Sequence, residues 1–446
     1  MTTSTLNSLA DRGRVVGEAV RAGSADEAQA AALLAADTLA CMVIGGDHPT
    51  VHRLLMSQDT VFGPQAQFPL AVTAAVRHFV DALAVDVTAA HVDEFDAVHP
   101  TSGTVPGAVV VPLALRLGAR SDLSGTEFLA AIAAGYEVAA AAALAIGGSP
   151  LYQRSWWPGA VAGRLGAAMT AAWILGLDPD RTRQALALAA VSVGGLLSQD
   201  IFADGHYVSL GDAAVLGAVA ARRAAAGMRG SATLFDGPAA RAFGSEPVDV
   251  DGTPLILSGL HKEFPCATPL QAVIRGLRAA GGAAAINESS AIEITVPAGM
   301  LAYLSTDRVV DGPPEAAASI AYAVGAVAHG RERDVGYFRD ADPATTYPGH
   351  LSLTAAANHD VADIVIIRGD EPARRHRESV RPGGRSATSD QVVTQKLTSW
   401  FGRHSLPTDL LDGLTPRESV QVVRAWRSWR SQDAHACGRT AAGDVR

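Results

Sequence analysis

Along most of the chain Ala, Leu and Val recur at three- and four-residue intervals, and Gly, Pro and Asp punctuate the gaps between these runs. Such spacing belongs to helices with a buried face. It predicts helices over residues 28–44, 68–85, 107–117, 125–146, 159–175, 180–193 and 211–226, with Ser124 as an N-cap and Gly176 as a stop. Small residues on so many helices let their axes approach closely, so a compact bundle with few aromatic spacers is expected. After Phe264-Pro265 the texture changes. A helix over 270–280, an alternating strand over 291–296, a helix over 314–328 and a second strand over 361–368 precede a polar, Gly- and Arg-rich stretch at 374–385. Helical spacing returns at 391–401 and 416–429, and the last residues, from Ser431, read as a frayed tail. The predicted fold is mainly α: a large all-helical domain (residues 1–265), a smaller α+β lid domain (266–390) and C-terminal helices (391–446) that return to the first.

Composition narrows this picture. A chain of 446 residues exceeds the roughly 250 to 300 residues that one core serves, which suits two domains. With 48% hydrophobic and 18% charged residues it is no disordered chain. A net charge of -9 offers no broad basic field for nucleic acid or an anionic membrane, so an anionic substrate would need a local basic pocket. The first residues lack an apolar run after a charged start, and a cytoplasmic location is expected. The apolar run 128–146 is long enough to raise the membrane question, but Glu137 interrupts it, and it reads as a buried core helix.

Motif searches mostly exclude. There is no G-x-x-x-x-G-K-[ST], H-E-x-x-H or G-x-S-x-G. Gly163, Gly166, Gly227 and Gly230 lie in or after helical patterns, where they serve packing and not a dinucleotide turn. Cys41, Cys266 and Cys437 are odd in number and far apart, which suggests neither disulfides nor a zinc knuckle. Cys266 suits either a pocket wall or the role of a small buried hydrophobe. The 13 histidines form no close cluster with Cys or carboxylates, so no metal is expected.

One polar segment interrupts the apolar texture: His91-Val92-Asp93-Glu94-Phe95-Asp96-Ala97-Val98-His99-Pro100, just before a helix. Acids and imidazoles at a helix junction can tune one another's pKa values. The same spacing also suits a solvated loop that caps the helix. Trp156-Trp157 beside Arg154 is either packing or the wall of a pocket.

An ordered series of runs resembles the MmgE/PrpD family. It comprises Ala36-Asp37-Thr38-Leu39-Ala40 through Gly45-Gly46, Glu94-Phe95-Asp96 through His99, and Pro106-Gly107-Ala108-Val109-Val110-Val111-Pro112. Further runs are Ala131-Ile132-Ala133-Ala134-Gly135-Tyr136-Glu137-Val138, Leu175-Gly176-Leu177-Asp178, Leu210-Gly211-Asp212-Ala213-Ala214, Lys262-Glu263-Phe264-Pro265-Cys266 and Ser319-Ile320-Ala321-Tyr322-Ala323-Val324. The resemblance implies a homodimer with a large helical domain, a smaller α+β lid domain and a cleft between them. It also implies that no cofactor is needed. Similar proteins include 2-methylcitrate dehydratases, a cis-aconitate decarboxylase and an iminodisuccinate epimerase. All of them handle a proton or leaving group beside carboxylates, which calls for a base, an acid and a cation.

Carried over position by position, the match is uneven. The family's Asp, aromatic, Asp, Asp, Thr signature corresponds to Glu94, Phe95, Asp96, Ala97 and Val98. His99 resembles a family histidine, and Lys262 matches the basic residue at the domain junction. A usual His-Pro pair is here Trp157-Pro158, and a usual lysine is His206. The resemblance thus implies a lyase or isomerase of a small carboxylic acid, a dehydratase first, using metal-free acid/base chemistry. Asp96, His99, His206 and Lys262 are its expected catalytic residues, and Glu94, Arg154, Trp157 and Cys266 its expected substrate contacts. The exchange of an imidazole for an indole favours a more hydrophobic acid than the tricarboxylates. Decarboxylation or epimerisation on the same scaffold, or a catalytically weak ligand-binding homologue, are the alternatives.

Overall fold

The computed structural model describes residues 4–404, apart from 61–73, 122, 198–202, 238–240, 245–246, 249, 299–303, 305–309, 357–360 and 380–386. The predicted helix at 416–429 and the tail after it lie outside the described residues. Helices α1 (Thr5–Arg21), α2 (Ala25–Gly45), α3 (Pro49–Thr60), α4 (Ala74–His91), α5 (Pro106–Ser121) and α6 (Gly125–Ala145) come first. They are followed by α7 (Pro158–Ile174), α8 (Pro179–Ala190) and α9 (Asp204–Ala225). Helix α10 (Thr268–Ala279) and strand β1 (Ser290–Pro297) open a smaller mixed region, which continues through α11 (Pro313–Ala318), α12 (Ile320–Ala328) and α13 (Val335–Asp340). Strands β2 (His350–Ala356), β3 (Val361–Arg368) and β4 (Arg374–Ser379) complete it, and α14 (Ala387–His404) follows. The protein is mainly α, with a smaller α+β part.

Small residues set the spacing of the helical core. A Cβ on Gly135 of α6 would come within 1.9 Å of the Thr170 hydroxyl on α7, so that crossing admits only glycine there. Both α2 and α6 are long and apolar enough to cross a bilayer, yet nearly all of each is buried among other helices. Glu137, the carboxylate inside α6, is buried and paired: Arg12 of α1 reaches its Oε1 at 2.5 Å, and the Leu255 N–H donates to its Oε2 at 2.8 Å. Ser124 caps α6 by accepting from the Glu127 N–H, and Gly176 takes φ +63 just beyond α7.

The sheet runs β2-β1-β3-β4, with β1 parallel to β2 and antiparallel to β3, and β4 antiparallel on the outer edge. Ile292, Ile294, Val296, Ile364 and Ile366 fill one face beneath α10, whose Gly276 lies against Ile364.

Several elements differ from the sequence reading. Helix α1 was not foreseen, because its buried stripe uses Gly13 and Gly17, which fit against Val138 and Trp173 but weaken the helical signal. Helix α8 stops at Ala190, three residues early, and α9 begins seven residues early, at Asp204. The predicted helix over 314–328 is broken at Ser319, whose extended backbone and side chain cap α12. Strands β2 and β4 were missed: β2 lacks a clean apolar alternation, and β4 is a charged edge strand, Arg374-Arg375-His376-Arg377-Glu378-Ser379.

Candidate active site

The polar segment begins where α4 ends at His91. It is pinned in place by reciprocal backbone hydrogen bonds between Val98 and Leu260, at 2.9 and 2.8 Å. That bridge delivers Lys262 to Glu94. The Lys262 ammonium donates to Glu94 Oε2 at 2.9 Å and to the Glu94 carbonyl oxygen at 3.0 Å, and lies 4.0 Å from Asp96 Oδ1. Glu94 itself holds φ +51, a conformation that side chains with a Cβ rarely adopt. Such a backbone persists where its surroundings over-determine it, and here one ammonium grips both ends of the residue.

Helix α9 brings the second half. The early start at Asp204 corrects the expectation that His206 sits in a loop before the helix: it is in the first turn and buried. Asp204 takes the N-terminal turn and pairs with Arg53 at 2.9 Å. His206 Nε2 lies 3.2 Å from His91 Nε2 and 3.4 Å from Glu94 Oε1. His91 Nδ1 in turn bonds Asp96 Oδ1 at 3.0 Å, which orients its ring. Trp157 stacks on His91 and lies tilted against His206, with centroids 5.5 Å and 4.1 Å away.

The electrostatics separate the two histidines. Burial works against a charged His91, but the Asp96 and Glu94 carboxylates outweigh it and hold its pKa above the ordinary value. Burial dominates at His206 and, with the neighbouring His91, pulls its pKa down despite the hydrogen bond to Glu94. Burial opposes charge on Glu94 and Lys262 too. Their mutual attraction wins, so the Glu94 carboxyl lies well below the usual carboxylate range and the Lys262 ammonium above the usual lysine value.

These groups form one wall of a cavity of about 340 Å³. Val98, Val105, Tyr152, Leu197, Tyr207 and prolines 269, 297 and 314 supply much of the remainder. The size falls within the range of small-molecule sites.

Of the residues singled out in the sequence, Glu94, Trp157, His206 and Lys262 line this cavity together. Asp96 stands one layer back, fully buried behind His91. Three others do not reach it. His99 is turned away, its Nδ1 on the Ser102 hydroxyl at 2.9 Å and its Nε2 on the Ser258 hydroxyl at 3.1 Å. Cys266 is buried beside Gln271 at 3.4 Å, and burial pushes its thiol pKa far up, away from reactivity. Arg154 is exposed, because Ser155 turns the chain through a left-handed φ of +64, sending Trp156 toward Phe243 and Trp157 into the cavity.

His91 was the principal omission. It was visible in the polar segment, but its partner His206 lies 115 residues away and no spacing rule joins them. That distance also overturns the reading of the histidines as scattered: His91, Glu94 and His206 offer three ligand atoms within 4.8 Å of one another. Tyr152 and Tyr207 were likewise missed.

The model of the MmgE/PrpD N-terminal domain matches residues 16–245, which include the polar segment, Trp157 and His206. The chain belongs to the MmgE/PrpD family. The family includes dehydratases and decarboxylases. Among curated relatives, the cis-aconitate decarboxylase-like protein oryM of Aspergillus oryzae is 29% identical over 186 residues, which cover 39% of this chain and 37% of that protein. The chain thus matches little more than a third of the relative's length.

Proposed function

We propose that this protein is a lyase acting on a small carboxylic acid that carries apolar surface, with dehydration as its preferred reaction. The observation that carries this reading is the composition of the cavity wall: one ammonium, two imidazoles and one carboxylate meet at one end, with the Asp96 carboxylate behind them, and the other walls are largely apolar. Lys262 accepts one substrate carboxylate, and no further Lys or Arg lines the cavity among the described residues to balance a second or third. Trp157, Tyr152, Tyr207, Val98 and Leu197 face the apolar part of the substrate.

Elimination of water requires removal of a proton from carbon beside the carboxylate and delivery of a proton to the departing hydroxyl. His206 and His91 stand in contact and share this work, and Asp96 holds His91 in the tautomer that presents Nε2. A second reading, decarboxylation, draws support from the printed name of the Aspergillus oryzae relative. There the carbon–carbon bond breaks, carbon dioxide leaves, and the same imidazoles return a proton to carbon.

A graded set of 3-hydroxy acids, from polycarboxylates to monocarboxylates with branched or aromatic substituents, together with cis-aconitate as a substrate for decarboxylation, tests the proposal, with unsaturated product and carbon dioxide both measured. The expected result is an unsaturated acid formed fastest from the apolar monocarboxylates. Efficient turnover of 2-methylcitrate or cis-aconitate would overturn the substrate reading, and stoichiometric carbon dioxide would replace dehydration by decarboxylation.

A further inference from the structure

We infer that Arg339, on α13 of the smaller region, is a positioning residue for the acid/base site, acting through Asp93 on the backbone of Glu94. This deepens the reading of Glu94 and the two histidines as proton-transfer groups, and it rests on that reading. Three cations from three later parts of the chain hold three successive residues. Arg339 spans the Asp93 carboxylate, with Nε 2.7 Å from Oδ1 and Nη2 2.6 Å from Oδ2. Lys262 holds Glu94 by its side chain and its carbonyl oxygen. Lys396, on α14, bonds the Phe95 carbonyl oxygen at 2.6 Å and lies 4.2 Å from the centroid of the Phe95 ring.

The middle residue has a reason to move. Glu94 sits at φ +51, and a return to the ordinary right-handed region turns the chain by roughly 110° about that bond. Such a turn carries its carboxylate away from His206 Nε2, now 3.4 Å from Oε1, and from the Lys262 ammonium, now 2.9 Å from Oε2. Both flanks must be held to prevent it. Lys396 fixes Phe95 on one side, and Arg339 fixes Asp93 on the other.

Arg339 suits this task. Its planar fork takes both oxygens of one carboxylate. The same Nη2 also donates to the Ile44 carbonyl oxygen in the last turn of α2, where a helix leaves carbonyls without internal partners. Asp93 is thereby tied to α2 as well as to α13. The two side chains are 17% and 7% exposed, so water and salt screen the pair little. Val335, one turn earlier on α13, packs against the cluster of Cys41, Ile44 and Phe95. One short helix thus holds the residues on both sides of Glu94, one by charge and one by apolar contact.

Protonation of His206 reports the position of Glu94 without substrate, so the test stands apart from the identity of the reaction. The charges that bear most on that ring are Glu94, which favours its protonated form, and His91 and Lys262, which disfavour it. The full-length protein, isotope-labelled at histidine, is titrated with acid and base in the NMR spectrometer, and the His206 signal is identified by its loss in His206→Gln. Two variants break the clamp with opposite changes of charge: Arg339→Gln removes the cation, and Asp93→Asn removes the anion. Withdrawal of Glu94 predicts the same result in both, a fall of the His206 pKa by about one unit. Arg339→Lys keeps the charge but loses the fork, and should show a smaller fall in the same direction. A rise in Arg339→Gln with a fall in Asp93→Asn is the signature of a direct field and would overturn the proposal. An unchanged His206 titration in the folded variants would reduce the pair to a stabilising contact and overturn it as well.

Discussion

Two buried clusters of the same chemistry sit back to back in this molecule. In one, the Lys396 ammonium of α14 bonds Asp37 Oδ1 and the Phe95 carbonyl oxygen, each at 2.6 Å, with His261 Nδ1 3.4 Å from the other Asp37 oxygen. In the other, Lys262 meets Glu94 and Asp96 beside His91 and His206. Neighbouring residues join them, Phe95 to Glu94 and His261 to Lys262. Their openings differ. A crevice of about 20 Å³ touches His261, whereas the Lys262 cluster faces about 340 Å³. The comparison teaches that a buried ammonium–carboxylate–imidazole group is not in itself a site. A cavity and the strained backbone of Glu94 distinguish the cluster that has room for chemistry.

The closed cluster should show itself mainly in stability. Removing one partner of a buried pair leaves the other charge uncompensated, so Lys396→Met should lower unfolding free energy by about 3 to 5 kcal/mol, measured by denaturant titration. A loss below about 1 kcal/mol would erase the distinction. The open cluster should show itself in catalysis. Lys262→Met removes a charge-assisted contact of about 1.5 to 3 kcal/mol and should cut kcat/KM by roughly 10- to 150-fold in folded protein. Unchanged kinetics would remove Lys262 from the site.

Acid sharpens the comparison further. Burial opposes the Asp37 carboxylate, but Lys396 and His261 prevail and lower its pKa from 3.8 to about 2. A carboxyl depressed in the folded state contributes stability above its unfolded pKa and loses it as pH falls through the folded value. The stability advantage of the unaltered protein over Asp37→Asn should therefore shrink by about 2 kcal/mol between pH 4 and pH 2. A constant difference across that window would contradict the pairing. The smallest effect belongs to the indole wall: Trp157→Leu should cost about 1 kcal/mol in kcat/KM for an apolar acid, through lost buried area. An equal loss for a compact acid that cannot reach the wall would show that the indole acts elsewhere.

Much of this was legible in sequence, for identifiable reasons. Helices α2, α5, α6 and α7 carry long runs of small apolar residues with caps such as Ser124, and β1 and β3 alternate or run apolar. Glu94, Trp157, His206 and Lys262 could be named because each falls within or against a recognisable family run. The opposite lesson comes from Arg154, His99 and Cys266. Their residue types suit chemistry, but a left-handed turn at Ser155, two serine hydroxyls and the side chain of Gln271 divert them. Pairing across 115 residues, as between His91 and His206, is a property of how α4 packs on α9, and no local pattern encodes it.

The central claim is that the Lys262 cluster receives a single carboxylate with apolar surface beside it. Calorimetric titration with 3-methylbutanoate, an unreactive branched monocarboxylate, tests this most directly when the unaltered protein is compared with Lys262→Met. The account predicts saturable binding that weakens at least about tenfold in the variant, the loss expected for a charge-assisted contact. Equal affinity in the two folded proteins, or no binding to the unaltered one at millimolar concentration, would contradict it.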